Sequence, residues 1–302
     1  YSALELPARH RYPIEKYRYL YQQLRDIGVP AHAFTRSEPV STALLAQSHC
    51  PAYIQSLYDG SIDAKAMRRI GFPWSEQLFQ RSLYSVGGTL QTAQAALKSG
   101  LALHLSGGYH HAFYAEGSGF CLFNDLVVAA RTLLQQGLDK ILIIDLDVHQ
   151  GDGTAEILEN DDSVFTFSMH GEKNYPFQKE QSDLDIELPD GTGDDEYLEH
   201  LERALYQINQ RFTPNLILYV AGLDVHQADR LGKLSLSDQG VLLRDQLVLQ
   251  WAHKRQLPVA AVMAGGYFPD LDHLTDLQLG VIKRLADYGK HHQETIKTTL
   301  NW

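Results

Sequence analysis

Short apolar runs at residues 101–105, 141–144, 164–167, 216–220 and 259–263 break up an otherwise mixed chain. They are nearly continuous, which is the pattern of strands covered on both faces. Between them lie segments with helical periodicity, at 15–26, 89–98, 126–136, 196–212, 238–254 and 274–287. In 196–212, Tyr197, Leu201, Ala204, Leu205, Ile208 and Phe212 form one stripe, and Glu199, Glu202, Arg203 and Gln210 take the other side. Strands alternating with helices predict an α/β fold with a mostly parallel sheet and helices on both faces. No repeat, low-complexity tract or Pro/Ser-rich linker divides the chain, so residues 1–302 read as a single domain. The stretch 171–193, rich in Gly, Pro and charge, reads as a long irregular segment of the kind that rims a site.

Composition narrows the function. The 26 Lys and Arg face 37 Asp and Glu, a formal charge of −11, and no basic tract interrupts the pattern, which argues against nucleic acid. An acidic surface suits a cationic peptide or a polyamine, or simply solubility. Two cysteines far apart, Cys50 and Cys121, do not make a disulfide framework and point to a reducing, cytoplasmic setting. The apolar runs are far below the ~20 residues of a membrane span. No signal peptide is visible, and the chain opens on Tyr1, which leaves residues before it open.

The chemistry gathers where the apolar runs end. Ile144-Asp145-Leu146-Asp147-Val148-His149 closes one run with carboxylates and an imidazole. Residues two apart in an extended segment project the same way, so Asp147 and His149 make two corners of a metal site. Asp224, beyond another run, supplies a third ligand and leaves room for water and a substrate oxygen. His110 and His111 follow a Gly-Gly turn, with Asp145 and Asp152 available to orient their far ring nitrogens. Tyr267, on the Gly265-Gly266 turn, is a phenol able to donate to an oxyanion. Each group falls after a strand, on the edge where open parallel sheets bind ligands. Together these parts describe metal-assisted hydrolysis of an amide.

These residues also carry a family resemblance. Gly107-Gly108-Tyr109-His110-His111, Gly119-Phe120-Cys121-Leu122-Phe123-Asn124-Asp125, the Asp145–Gly153 motif, Ala221-Gly222-Leu223-Asp224 and Gly265-Gly266-Tyr267 together resemble the zinc-dependent histone deacetylase family, from about residue 11 to 285. The segments 191–198, 229–232 and 244–245 are most similar to its class IV branch and bacterial relatives. The resemblance implies an arginase/deacetylase-like three-layer α/β/α sandwich. It implies Zn²⁺ on Asp147, His149 and Asp224, His111 with Asp152 as base and acid, and His110 with Asp145 as electrostatic partner. It further implies Tyr267 at the oxyanion, Gly119 and Phe120 along the substrate tunnel, and a buried K⁺ on Asp145, Asp147 and Ser168. Gln150 and His226-Gln227 depart from familiar members at positions that are not ligands, which touches substrate choice and leaves hydrolysis intact. The expected activity is removal of an acetyl or longer acyl group from lysine in a protein or peptide. An acetylpolyamine amidohydrolase is the alternative, and a non-enzymatic binding module fits poorly because every catalytic position is filled. Trp74, Phe79, Tyr114 and residues 171–179 are expected at the rim. Oligomeric state and regulatory partners are left open.

Overall fold

The structure, a computed structural model, describes residues 4–7 and 10–299, with side chains in the last helix as far as Gly289. The sequence reads His291 and His292 as a solvated tail, and their side chains lie outside the described residues. Among the described residues, six parallel strands form one sheet: β1 (Leu101–His104), β2 (Ile141–Asp145), β3 (Val164–Gly171), β4 (Leu184–Leu188), β5 (Leu216–Val220) and β6 (Val259–Val262), in the order β1-β6-β5-β2-β3-β4.

Period-2 alternation sends neighbouring side chains to opposite layers. Leu142, Ile144, Phe165, Phe167, Ile217 and Tyr219 face helices α8 (Asp194–Arg211), α9 (Asp238–His253) and α10 (Leu271–Thr299). Ile141, Ile143, Val164, Leu216, Leu218 and Val220 face α5 (Glu76–Ser99), α6 (Asp125–Gln135) and α7 (Asp152–Leu158). Burying a Leu or Ile side chain of this kind stabilises by roughly 1.5–3 kcal/mol. Doubly covered strands account for the unbroken apolar runs, and the three-layer α/β/α expectation stands. The first four helices, α1 (Lys16–Asp26), α2 (Thr42–Leu45), α3 (Pro51–Asp59) and α4 (Ala64–Ile70), pack with the start of α5 into a separate apolar cluster that includes Tyr267.

Helices α2, α3, α4 and α7 fall outside the segments read as helical, and two further elements differ from the sequence reading. Helix α5 begins at Glu76, where Ser75 caps it by accepting from Leu78 N, well before the expected 89. Gly87 and Gly88 hid its first half. A Cβ on Gly87 would lie 1.8 Å from Glu38 O and one on Gly88 2.4 Å from His104 Nε2, so tertiary neighbours press onto the helix there. Strand β4 lies inside the segment read as irregular. It pairs with β3 alone, and its Asp185 and Glu187 give it the charged character of an edge strand.

Candidate active site

All the candidate groups stand at the carboxyl edge of the sheet. Strand β2 ends on Asp145, in register with Ser168 on β3 and Val220 on β5, and the chain then turns through Asp147 and His149. Asp147 Oδ1 accepts His149 N at 3.0 Å and lies 2.9 Å from His149 Nδ1, while its Oδ2 accepts Gly265 N at 2.9 Å. Asp224 Oδ1 accepts Val148 N at 2.9 Å. Its Oδ2 stands 3.2 Å from His149 Nδ1, fully buried and without a well-aligned hydrogen bond. One ligand atom from each of Asp147, His149 and Asp224 falls within 4.8 Å of the others. The approach demands glycine: a Cβ on Gly265 would lie 1.9 Å from Asp224 Oδ2 and 2.5 Å from Asp147 Oδ2.

Two buried carboxylates held this close need positive charge. Burial opposes a proton on His149, but hydrogen bonds and charge from Asp147 and Asp224 outweigh it and push the imidazole up to about 10. Burial, reinforced by the charge of Asp147, pushes Asp224 up to about 7. An imidazole nitrogen and two carboxylate oxygens converging on one point, one oxygen unbonded, is a donor set that fits a divalent cation.

A second trio, His226, Asp238 and His273, also brings ligand atoms within 4.8 Å. Here His226 Nδ1 accepts the Ala228 N–H at 3.0 Å, which puts the ring proton on Nε2, 2.8 Å from Asp238 Oδ1. Nε2 makes no well-aligned hydrogen bond with Asp238, and with Nδ1 committed to the backbone the ring serves here as a structural tie. The trio ties the loop after β5 to the starts of α9 and α10.

The tandem histidines form two dyads, with His110 Nδ1 2.6 Å from Asp145 Oδ2 and His111 Nδ1 2.6 Å from Asp152 Oδ1. Their rings lie 4.2 Å apart between centroids, yet their charges differ. Burial disfavours a proton on His110, but Asp145 and Asp147 overcome this and hold it up at about 9. For His111 burial dominates, and despite Asp152 the charges of His110 and His149 help bring it down to about 4. The result is a neutral imidazole able to accept a proton beside a charged one. Asp152 opens α7, and Asn124, capping α6, donates to the carbonyls of His110 and Ala112, which fixes the loop carrying both rings.

Tyr267 follows β6. Burial, then the charges of Asp147 and Asp224, keep its phenol well above the ordinary value, so it remains a donor. Its ring centroid lies 6.5 Å from that of His149 and 5.9 Å from that of Phe120. Gly119 and Phe120 both take positive φ, +50° and +66°. A Cβ on Gly119 would sit 2.5 Å from His111 Cδ2, so this turn can lie against the His111 ring only as glycine. An open groove of about 550 Å³, lined by His111, Gly119, Phe120, His149, Tyr267 and residues of the loop after β3, reaches His149 of the candidate trio. A larger cavity of about 750 Å³ between α1 and α5 holds no histidine or carboxylate among its lining residues.

The structure brings together Asp145, Asp147, His149, Asp152, Asp224, His110, His111, Gly119, Phe120 and Tyr267. Ser168 is buried beside Asp145, and its hydroxyl is 2.9 Å from His170 Nδ1. Gln150, the departure noted above, is buried and tied to Glu180 and Asp185. The expected rim needs correction. Lys173, Asn174, Tyr175 and Phe177 line the groove, but Trp74, Phe79 and Tyr114 do not. Phe79 is 2% exposed in the N-terminal cluster, and Trp74 donates to Leu57 O against Gly60; a Phe and a Trp read alike from sequence whether they pack or line.

One residue near the site escaped the sequence reading, and another was expected only as part of the 171–179 rim. Tyr175 sets its ring edge-on to His111 at 5.1 Å and bonds Ser118 through its hydroxyl. Lys16 is 1% exposed, donates to Ala264 O and Gly266 O, and stands 5.7 Å from the Tyr267 ring centroid. Burial, only partly offset by Asp224, brings it down to about 8. A lysine on the buried stripe of α1, with Leu20 and Leu24, was the available signal.

Comparison with known proteins agrees with this geometry. The histone deacetylase domain profile matches residues 10–281. The chain is 47% identical over 272 residues to an uncharacterised protein of Picosynechococcus, covering 89% of this chain and 90% of that one. It is 30% identical over 297 residues to a probable deacetylase of Archaeoglobus fulgidus, covering 91% and 80% of the two chains. With histone deacetylase 2 of Arabidopsis thaliana it shares 33% identity over 229 residues, 72% of this chain and 59% of that one. The crystal structure of a histone deacetylase homologue from Aquifex aeolicus has the same fold, with a TM-score of 0.81 at 24% identity, covering 96% of this chain and 85% of that one. A three-layer α/β/α fold with a metal-type trio at the sheet edge defines a hydrolase of the arginase and deacetylase class. The chain belongs to the histone deacetylase family, whose members are hydrolytic deacetylases.

Proposed function

We propose that this protein is a Zn²⁺-dependent deacylase, acting on the ε-amide of acylated lysine in a protein or peptide within a domain spanning residues 1–302. The observation that carries the reading is the convergence of the Asp147, His149 and Asp224 trio with two His–Asp dyads and a protonated phenol at the foot of one groove.

Asp147, His149 and Asp224 would hold the zinc, which when bound acidifies water and polarises the amide carbonyl. Neutral His111, oriented by Asp152, takes the proton from the attacking water and returns it to the departing amine. His110, charged against Asp145, supplies positive potential beside the developing negative charge. The Tyr267 hydroxyl donates to the oxyanion. Phe120 and Tyr175 offer aromatic walls to the acyl-lysine stem, and Gly119 keeps the wall thin beside His111. Asp145, Asp147 and Ser168 are an oxygen donor set suited to a hard cation, and K⁺ is the one we assign there. The free thiols Cys50 and Cys121 support a reducing, cytoplasmic setting; among the described residues no helix is long and apolar enough to cross a membrane.

Chelation should abolish hydrolysis of a fluorogenic acetyl-lysine peptide, and added Zn²⁺ should restore it. Turnover that survives metal removal would end the proposal. A series of acyl lengths on one peptide tests the resemblance to class IV, since a steep loss beyond acetyl would rule out a long-acyl preference.

A further inference from the structure

The charge around the groove runs against the charge of the protein. The chain carries −11 overall, yet among the described residues those lining the groove include Arg11, Arg69, Lys173 and Lys233 and no Asp or Glu. All four cations are exposed. Arg69 is paired with Glu116. Among the described residues, Arg11, Lys173 and Lys233 have no carboxylate within ion-pair distance; Lys233 Nζ donates only to Lys173 O, at 2.9 Å.

Nearby acids do not cancel this. Asp229 is turned inward, its carboxylate accepting from the backbone N–H groups of Leu231, Gly232 and Tyr267. Glu172 lies next door on the surface, but it is not among the lining residues. Lys179 is not counted, because its ammonium is folded onto the carbonyls of Glu172, Asn174 and Pro176. Among the described residues, three cations that are free of counter-charges therefore surround the mouth, on three separate parts of the chain: Arg11 near the N-terminus, Lys173 on the loop after β3 and Lys233 on the loop after β5. In a background of −11 a local basic ring acts as a selective device, steering anionic partners in and turning cations away.

Resting on the deacylase reading, we infer that the substrate is an acyl-lysine flanked by acidic residues, and that acylpolyamines and lysine-rich tails are disfavoured at this mouth. The acylated lysine itself is neutral, so recognition by charge falls entirely on its neighbours. Phe177, 88% exposed on the same rim, adds an apolar contact for one of them.

The test compares one acetyl-lysine peptide with Asp/Glu flanks, neutral flanks and Lys/Arg flanks, together with acetylspermidine. Exposed ion pairs each change binding by roughly twofold or somewhat more, so three predict a kcat/KM about tenfold higher for acidic than for basic flanks. That ratio should shrink towards one in about 0.5 M salt, where the Debye length falls to a few ångströms. Lys173→Glu and Arg11→Glu should each lower the acidic-to-basic ratio, and the double variant should invert it. Because the ratio is taken within each variant, a general loss of activity does not mimic the effect. Equal rates on acidic and basic peptides, or a preference for acetylspermidine, would overturn the charge assignment and leave deacylation standing. Failure to hydrolyse even the neutral peptide would overturn the deacylase reading and this inference with it.

Discussion

Arg244 and Asp245 offer the sharpest test of how the fold holds the metal trio. Both are fully buried on α9, with Arg244 Nε and Nη2 each 2.8 Å from Asp245 Oδ1. Arg244 Nη1 donates to the carbonyls of Leu146 and Gly222, the residues just before Asp147 and two before Asp224. One guanidinium thus pins both loops that present Asp147 and Asp224, the carboxylates of the candidate metal site. Removing it by Arg244→Met leaves Asp245 buried without its counter-charge, sharing only the Tyr219 hydroxyl. Breaking a buried pair from one side costs about 3–5 kcal/mol. The double variant Arg244→Met/Asp245→Leu removes the stranded charge as well and should recover most of that loss, because apolar replacements of buried pairs are close to neutral. Metal affinity should not recover, since both variants free the two carbonyls; loss of such support typically weakens binding 10–100-fold. Urea unfolding of the metal-free protein reads the first quantity, and zinc titration against a competing chelator reads the second. Equal stability of the single and double variants would refute the buried-charge argument. Wild-type zinc affinity in the double variant would refute the pinning argument.

Other outcomes follow from the same geometry. Tyr267→Phe and His111→Ala should each lower kcat by about 10²–10⁴ while metal content stays near one per chain, and near-normal turnover in both would remove them from the chemistry. Gly265→Ala should abolish metal binding, because its Cβ would lie 1.9 Å from Asp224 Oδ2; elemental analysis checks this directly. Gly119→Ala should spare the metal and cut turnover, as its Cβ would collide with the His111 ring 2.5 Å away. Buried His49 is held neutral, brought from 6.5 down to about 4, chiefly by burial. The unfolded chain takes up that proton first as pH falls, so the stabilisation is complete above about pH 6.5 and drains away towards pH 4, by about 3 kcal/mol in all. Urea midpoints measured across that range should fall with pH, and less steeply in His49→Gln; parallel slopes would refute the assignment.

Much of the site was legible because strand physics and metal chemistry leave local marks. Asp147 and His149 stand two apart after an apolar run, and the glycine pairs at 107–108 and 265–266 announce close backbone approach. The stripe from Tyr197 to Ile208 is likewise a helix in sequence and in fold. What stayed hidden was set by partners far along the chain. The first half of α5 was masked by Gly87 and Gly88, β4 by the charges of an edge strand, and the contact of Tyr175 with His111, inside a loop expected only as rim, by a course that no periodicity describes.

The alternation of strands with helices, the Asp147 and His149 pair and the glycine turns beside the tandem histidines and Tyr267 were determined by the sequence alone, because each depends on residue type and on spacing within a few positions. The protonation difference between His110 and His111, the buried grip of Arg244 on two ligand loops, and the basic mouth on an acidic protein were decided only by tertiary structure. Charge and burial are properties of neighbours in space, and those neighbours lie up to about a hundred residues or more apart in the chain, as Arg244 and Leu146 do.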